Sequence, residues 1–90
     1  MNSLTAMQGS QPQIFQTAVG IMAVGDLNGV PAARLMLRGP EVGDIVDLRV
    51  GDRVHLEGRW FMRLDAAIAS EAAPGAGSVT LSWEEGSPDE

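Results

Sequence analysis

The chain lacks cysteine, lysine and tyrosine, and it contains a single histidine, His55. Without cysteine there is no disulfide and no thiolate, so thiol catalysis and cysteine-based metal sites are excluded. One histidine cannot build a cluster of His and Cys ligands, and we expect neither a metal nor another cofactor. The sequence also has no phosphate-binding loop and no dinucleotide fingerprint. We therefore expect that the protein is not an enzyme.

Long apolar runs and a basic leader are also missing. The longest apolar stretch, residues 18–24, is interrupted by Gly20 and is far shorter than the roughly 20 residues that a membrane-spanning helix needs. The first residues do not combine a basic segment with an apolar one, as a secretory signal does. We expect a protein of the cytoplasm with no membrane partner.

Charge is unevenly distributed along the 90 residues, whose formal net charge is −6. All six basic residues are arginines, and they lie with seven acids in residues 1–70, whereas residues 71–90 hold five acids and no base. A near-neutral body with an acidic end differs from the strongly basic domains typical of nucleic-acid binders. A chain of this length forms one domain with a thin core. We predict a flexible arm over residues 1–12, a single barrel over 13–83 and an acidic tail over 84–90.

Alternating apolar and polar residues predict β-strands from Pro12 onward. Asn28-Gly29 is a strong hairpin signal, because both central positions of a type I′ turn need positive φ. The predicted strands are residues 14–24, 30–38, 44–50, 53–64 and 78–83, the fourth being interrupted at Gly58. Residues 65–71 fit either a short helical turn or a continuation of that fourth strand.

Five short strands in a chain this small predict an all-β fold that closes into a barrel, because closure removes exposed sheet edges. The long, glycine-interrupted first strand favours a five-stranded barrel of the oligonucleotide/oligosaccharide-binding (OB) type, in which strand one bends to pair with two neighbours. The alternative is an SH3-like barrel. The helix that usually separates the third and fourth OB strands has no counterpart in this sequence.

The outward-facing residues of the predicted second to fourth strands are rich in arginine. Guanidinium groups bind phosphate and stack on bases, and aromatic rings stack on bases as well. An equally simple interpretation is a solvated face on which arginines pair with Asp47 and Glu57 across strands. Phe61 faces outward if the fourth strand is regular, and Trp60 does so if Gly58 forms a bulge. The candidate nucleic-acid-binding residues are Arg34, Arg38, Arg49, Arg59, Trp60, Phe61 and Arg63.

Two segments carry a resemblance to a known family. Residues 28–37, NGVPAARLML, and residues 50–60, VGDRVHLEGRW, resemble the second and fourth strands of bacterial single-stranded DNA-binding proteins and the related primosomal replication protein N. The resemblance implies an OB fold that binds single-stranded nucleic acid. It implies binding roles for Arg34 and Arg38 on the second strand and for Arg59, Trp60 and Arg63 on the fourth.

The sequence therefore predicts an accessory single-stranded nucleic-acid-binding protein of replication or recombination. The alternative function is a non-catalytic structural or adaptor module that contacts protein through its barrel edge and mediates protein–protein assembly. A thin core favours self-association as well, because a single small barrel covers its apolar surface poorly.

Overall fold

The computed structural model of the protein describes residues 2–69 and 76–86. Within these residues the fold is all-β and contains no helix. The strands are β1 (Ser3–Met7), β2 (Gln13–Ile14), β3 (Thr17–Leu27), β4 (Val30–Arg38), β5 (Gly43–Arg49), β6 (Arg53–Glu57), β7 (Trp60–Ile68) and β8 (Ser78–Glu85).

The strands form two antiparallel sheets of four, with the orders β1-β8-β7-β6 and β2-β3-β4-β5. Two bent segments carry the chain from one sheet to the other. At the first bend, the Gly9 amide donates to the Ile21 carbonyl at 2.8 Å. At the second, the Gly51 amide donates to the Leu64 carbonyl, also at 2.8 Å. The two sheets thus continue into each other at both corners, and the fold is barrel-like.

The core lies between the inner faces of the two sheets, where every second residue of a strand is buried. On β4 the alternation of the sequence puts Leu35 and Leu37 on the inner face, and both are 0% exposed. Full burial of an aliphatic side chain of this size stabilises the fold by about 1.5–3 kcal/mol. The largest buried apolar side chains are Ile14, Val19, Ile21, Leu35, Leu37, Leu56, Met62, Leu64, Val79 and Leu81.

The prediction of an all-β barrel is confirmed at this coarse level, but the predicted count of five strands is wrong. Residues 3–7, expected in a flexible arm, form β1 and pair with β8 in the register Leu4↔Leu81. The strand forms because Leu4 and Ala6 alternate with polar residues and pack against the core. The predicted first strand is divided by a turn at residues 15–16, and only its second part belongs to β3.

The later segments follow the sequence more closely. The strand interpretation of residues 65–68 is confirmed, because β7 continues to Ile68. Glu84 and Glu85, expected in the acidic tail, belong to β8, and residues 87–90 of that tail lie outside the described residues. Residues 53–64, predicted as one strand interrupted at Gly58, instead form two antiparallel strands. β6 and β7 make a hairpin around a turn at residues 58–59, where the φ of Gly58 is 57°, and their register shifts between His55 and Glu57.

The Asn28-Gly29 hairpin is confirmed by the backbone geometry. The φ angles of these two residues are 53° and 83°, as a type I′ turn requires. A side chain on Gly29 would meet no atom within 4 Å. The turn therefore depends on the backbone freedom of glycine and not on space.

We expect Gly29→Val to destabilise the protein by about 1–2 kcal/mol, because valine is strained at positive φ. The melting temperature should fall by roughly 4–8 °C for each kcal/mol in a domain of this size. Gly25→Val is the matched control, since Gly25 also has open space around it but no positive φ. Thermal melts in which both variants lose the same stability would contradict this account of the turn.

Candidate binding site at the aromatic end of the barrel

The arginine and aromatic residues singled out in the sequence lie in two separate places. Arg34 and Arg38 are on β4 and Arg49 is on β5, all in the sheet β2-β3-β4-β5. The other four, Arg59, Trp60, Phe61 and Arg63, lie on β7 or in the β6–β7 turn of the other sheet. The structure therefore brings the seven together as two groups, one on each sheet.

Most of the first group is paired with carboxylates. The Arg34 guanidinium donates to Asp47 through Nε at 2.9 Å and through a terminal nitrogen at 3.3 Å. That hydrogen bond holds the pKa of the Asp47 carboxyl below its usual range. Arg49 lies 3.8 Å from Asp52, whereas Arg38 makes no ion pair within residues 2–69 and 76–86. These exposed pairs neutralise much of the positive charge that the sequence seemed to offer to phosphate.

In the second group Arg63 is paired within the protein, whereas Arg59 is exposed in the β6–β7 turn. The Nε of Arg63 donates to Asp65 at 2.7 Å. Burial raises the pKa of the Asp65 carboxyl. Hydrogen bonds from Arg63 and Ser82 and the positive charge of Arg63 lower this pKa by more, so the net shift is downward.

Phe61 lies on the outer face of β7 with Arg63, whereas Trp60 shares the inner face with the buried Met62 and Leu64. Neither predicted form of a single fourth strand applies, because residues 53–64 form a hairpin. The Phe61 ring is half-buried and offers little free surface for stacking.

A different aromatic pair closes one end of the barrel. Phe15, in the turn between β2 and β3, stacks on Trp60 with 4.8 Å between ring centroids and a tilt of 44°. Phe15 is 48% exposed, and its φ is 55°. A bulky residue at positive φ is a genuine outlier that persists only when its surroundings hold it there.

The backbone conformation of Phe15 is stabilised by hydrogen bonds between the turn and Glu57, which lies on the opposite sheet. One carboxylate oxygen of Glu57 accepts from the Gln16 amide at 2.8 Å and from the Thr17 hydroxyl at 3.0 Å. Thr17 is completely buried, and Gly39 lies so close to it that a Cβ at Gly39 would overlap the hydroxyl. The turn is therefore clamped from two sides, and Phe15 has little freedom to relax.

The neighbouring loops are tied to the same end. The Gly58 amide donates to the Glu41 carboxylate at 2.5 Å, and the Gly86 amide donates to the Arg59 carbonyl at 2.7 Å. These bonds join the β4–β5 loop, the β6–β7 turn and the end of β8. Together with the β2–β3 turn they make a rigid platform, here called the aromatic end, defined by Phe15, Glu41, Glu57, Trp60 and Glu85.

The candidate residues predicted from the sequence include Trp60 but not Phe15. The positive φ of Phe15 leaves no mark in the sequence, because glycine or asparagine is the usual signal for such a position. Glu57 was expected to oppose the arginines, whereas its carboxylate faces the β2–β3 turn. The polar residues around Phe15, Gln13 and Gln16, were the one available sign that this aromatic residue lies at a turn.

Comparison with protein-family models, with curated proteins and with solved structures finds no match. No helix within the described residues is long and apolar enough to cross a membrane. The same residues contain no group of three or more His, Asp or Glu side chains placed to hold a metal ion. Within the part of the chain that the structure describes, the aromatic end is the place where a stacked aromatic pair and a bulky residue at positive φ coincide.

We expect Phe15→Gly to be more stable than Phe15→Ala by up to about 1 kcal/mol, because only glycine relieves the strain of a positive φ. Both variants lose the ring, so their difference isolates the backbone. Ile45 is the matched control, since it is 50% exposed on a regular strand. There the order should reverse, with Ile45→Gly less stable than Ile45→Ala by roughly 0.5–1 kcal/mol. Urea unfolding measures all four, and the same order at both positions would contradict strain at Phe15.

Proposed function

We propose that this protein is a non-catalytic binding module that engages a protein partner through the aromatic end. The observation that carries the proposal is the Phe15 ring, which is 48% exposed although its backbone is held at a φ of 55°. Closing the barrel does not require an aromatic side chain that is half in solvent on a strained backbone. Strain of this kind clusters at ligand clamps and functional sites.

The chemistry of the aromatic end suits a protein surface. Aromatic side chains are enriched at protein interfaces, where they supply large contact area and dominate the binding energy. The clamped β2–β3 turn means that little conformational freedom is lost on binding, which favours affinity. Catalysis is less well supported, because the Glu57 carboxylate already accepts two hydrogen bonds from Gln16 and Thr17.

Site-specific photocrosslinking in cells tests this proposal. One variant carries p-benzoylphenylalanine at position 15, and a matched variant carries it at position 45 on the regular strand β5, where the native side chain is similarly exposed. We expect a discrete protein adduct at position 15 and none at position 45. The purified partner should then bind the Phe15→Ala variant at least tenfold more weakly than the wild type, as for an interface hot spot, and bind Ile45→Ala normally.

The crosslinking experiment has outcomes that support the proposed function and outcomes that overturn it. An adduct to a second copy of the chain supports the proposal, with self-association as the assembly. Equal adducts at both positions, or a partner whose affinity does not respond to Phe15, would overturn it. Circular dichroism of Phe15→Ala shows whether the variant is folded, and Phe15→Gly replaces it if it is not.

A second candidate function is single-stranded nucleic-acid binding on the outer face of β4 and β5. Arg34, Met36 and Arg38 share that face, and Arg49 lies beside them opposite Ala32. The resemblance of residues 28–37 and 50–60 to bacterial single-stranded DNA-binding proteins, and with it an OB-type barrel, supports this candidate. The ion pairs of Arg34 and Arg49 and the net charge of −6 favour the first proposal instead.

Titration of a labelled thymidine oligonucleotide at several salt concentrations tests this second candidate. Arg34→Ala combined with Arg38→Ala should flatten the slope of log K against log salt by roughly 0.7 for each phosphate contact that is lost. Asp47→Asn should strengthen binding, because it releases Arg34. Arg63→Ala, on the opposite sheet, is the control and should leave the slope unchanged. No binding by the wild type at low salt would exclude this function.

A further inference from the structure

Trp60 lies between two carboxylates in a row across three strands. It is directly opposite Glu57 on β6 and directly opposite Glu85 on β8. Side chains at such opposite positions lie on the same face of the sheet, with Cβ atoms about 4.5–5.5 Å apart. The aromatic end therefore combines ring surface with negative charge, which is the pairing that recognises organic cations.

The next row of the same sheet shows this chemistry already occupied. Phe61 lies opposite Glu84, and the Arg53 guanidinium carbon sits 5.2 Å from the centre of the Phe61 ring. Arg53 also approaches the Glu84 carboxylate at 3.8 Å. One arginine thus lies over an aromatic ring and beside a carboxylate. In the adjacent Trp60–Glu85 row, which faces the other side of the sheet, the ring and the carboxylate recur. No arginine of the described residues lies over Trp60 or Phe15.

Charge around the aromatic end is negative in balance. The aromatic end contains three carboxylates, those of Glu41, Glu57 and Glu85. The described part of the β6–β7 turn adds one positive charge, that of Arg59. Arg38 at the end of β4 and Asp44 near the start of β5 carry opposite charges. A phosphate approaching the rings would meet this excess of carboxylates, whereas a positively charged side chain would be attracted.

We propose that the aromatic end accepts an arginine side chain of a partner protein, which deepens the function proposed above and rests on it. A guanidinium is planar, so it stacks on the free face of the Phe15 ring, and its fork of N–H donors suits a carboxylate. Glu85 is directly opposite Trp60 on β8, and Glu57 is hydrogen-bonded to the turn that carries Phe15.

The test uses the full-length protein and a pair of synthetic tripeptides, acetylated and amidated, with arginine or citrulline at the centre. Citrulline has the shape of arginine without its charge, so the pair isolates the cation. Proton–nitrogen NMR follows the indole signals of Trp60 and Trp83, the latter serving as an internal reference packed against the core. We expect the arginine peptide to shift the Trp60 indole and the Phe15 amide, and to bind at least fivefold more tightly than the citrulline peptide.

Two variants test whether the arginine peptide binds at the row formed by Glu57, Trp60 and Glu85. Glu85→Gln should weaken the arginine peptide several-fold and leave the citrulline peptide unaffected. Asp26→Asn is the control, because it removes the same charge from an exposed position on the β3–β4 hairpin and should change nothing. Both substitutions are on the surface, and an unchanged spectrum away from the site shows that the fold is intact.

Equal binding of the two peptides, or equal effects of Glu85→Gln and Asp26→Asn, would overturn the inference. A thymidine oligonucleotide that produces the same Trp60 shift would also overturn it, in favour of base stacking. If position 15 crosslinks to a partner whose binding does not need an arginine, the proposed arginine site is wrong but the proposed protein-binding function stands. An absence of any partner contact at position 15 would instead remove the proposed function itself.

Discussion

The carboxylate of Glu57 is the contact on which the aromatic end depends. It reaches from β6 across to the opposite sheet and accepts hydrogen bonds from the Gln16 amide and the Thr17 hydroxyl. The bond to Thr17 satisfies a hydroxyl that is completely buried, where an unmade hydrogen bond would cost about 1–3 kcal/mol. This one side chain therefore joins the two sheets, supports a strained turn and presents Phe15 to solvent.

Arginine serves mainly internal purposes in this protein. Four of the six arginines, Arg34, Arg49, Arg53 and Arg63, lie within 4 Å of a carboxylate. Exposed pairs of this kind contribute little to stability, but they leave each sheet face nearly neutral. A face neutralised in this way attracts phosphate weakly. The contrast with the aromatic end, where carboxylates stand beside rings without a described arginine over them, is what separates the two candidate functions.

The sequence predicts the local parts of this fold well and the long-range parts poorly. Period-two alternation places Leu35 and Leu37 inside and Phe61 outside, and Asn28-Gly29 identifies its turn. The strand β1 escapes prediction because Leu4 and Ala6 are weak apolar signals until Leu81 and Val79 are known to face them. The aromatic end could not be predicted for the same reason. The contact between Phe15 and Trp60 joins residues of different sheets, and no local sequence pattern indicates it.

The order of the strands has a consequence for how the chain folds. From β3 to β8, neighbouring strands are close in the sequence, so hairpins can form as soon as both of their strands exist. The strand β1 is different, because its partner is β8, and the bonded hydroxyls of Thr5 and Thr80 are 75 residues apart. During synthesis β1 emerges before β8 and has no partner until β8 has followed. We therefore expect β1 to join its sheet after the hairpins have formed, so that this pairing completes the barrel-like fold.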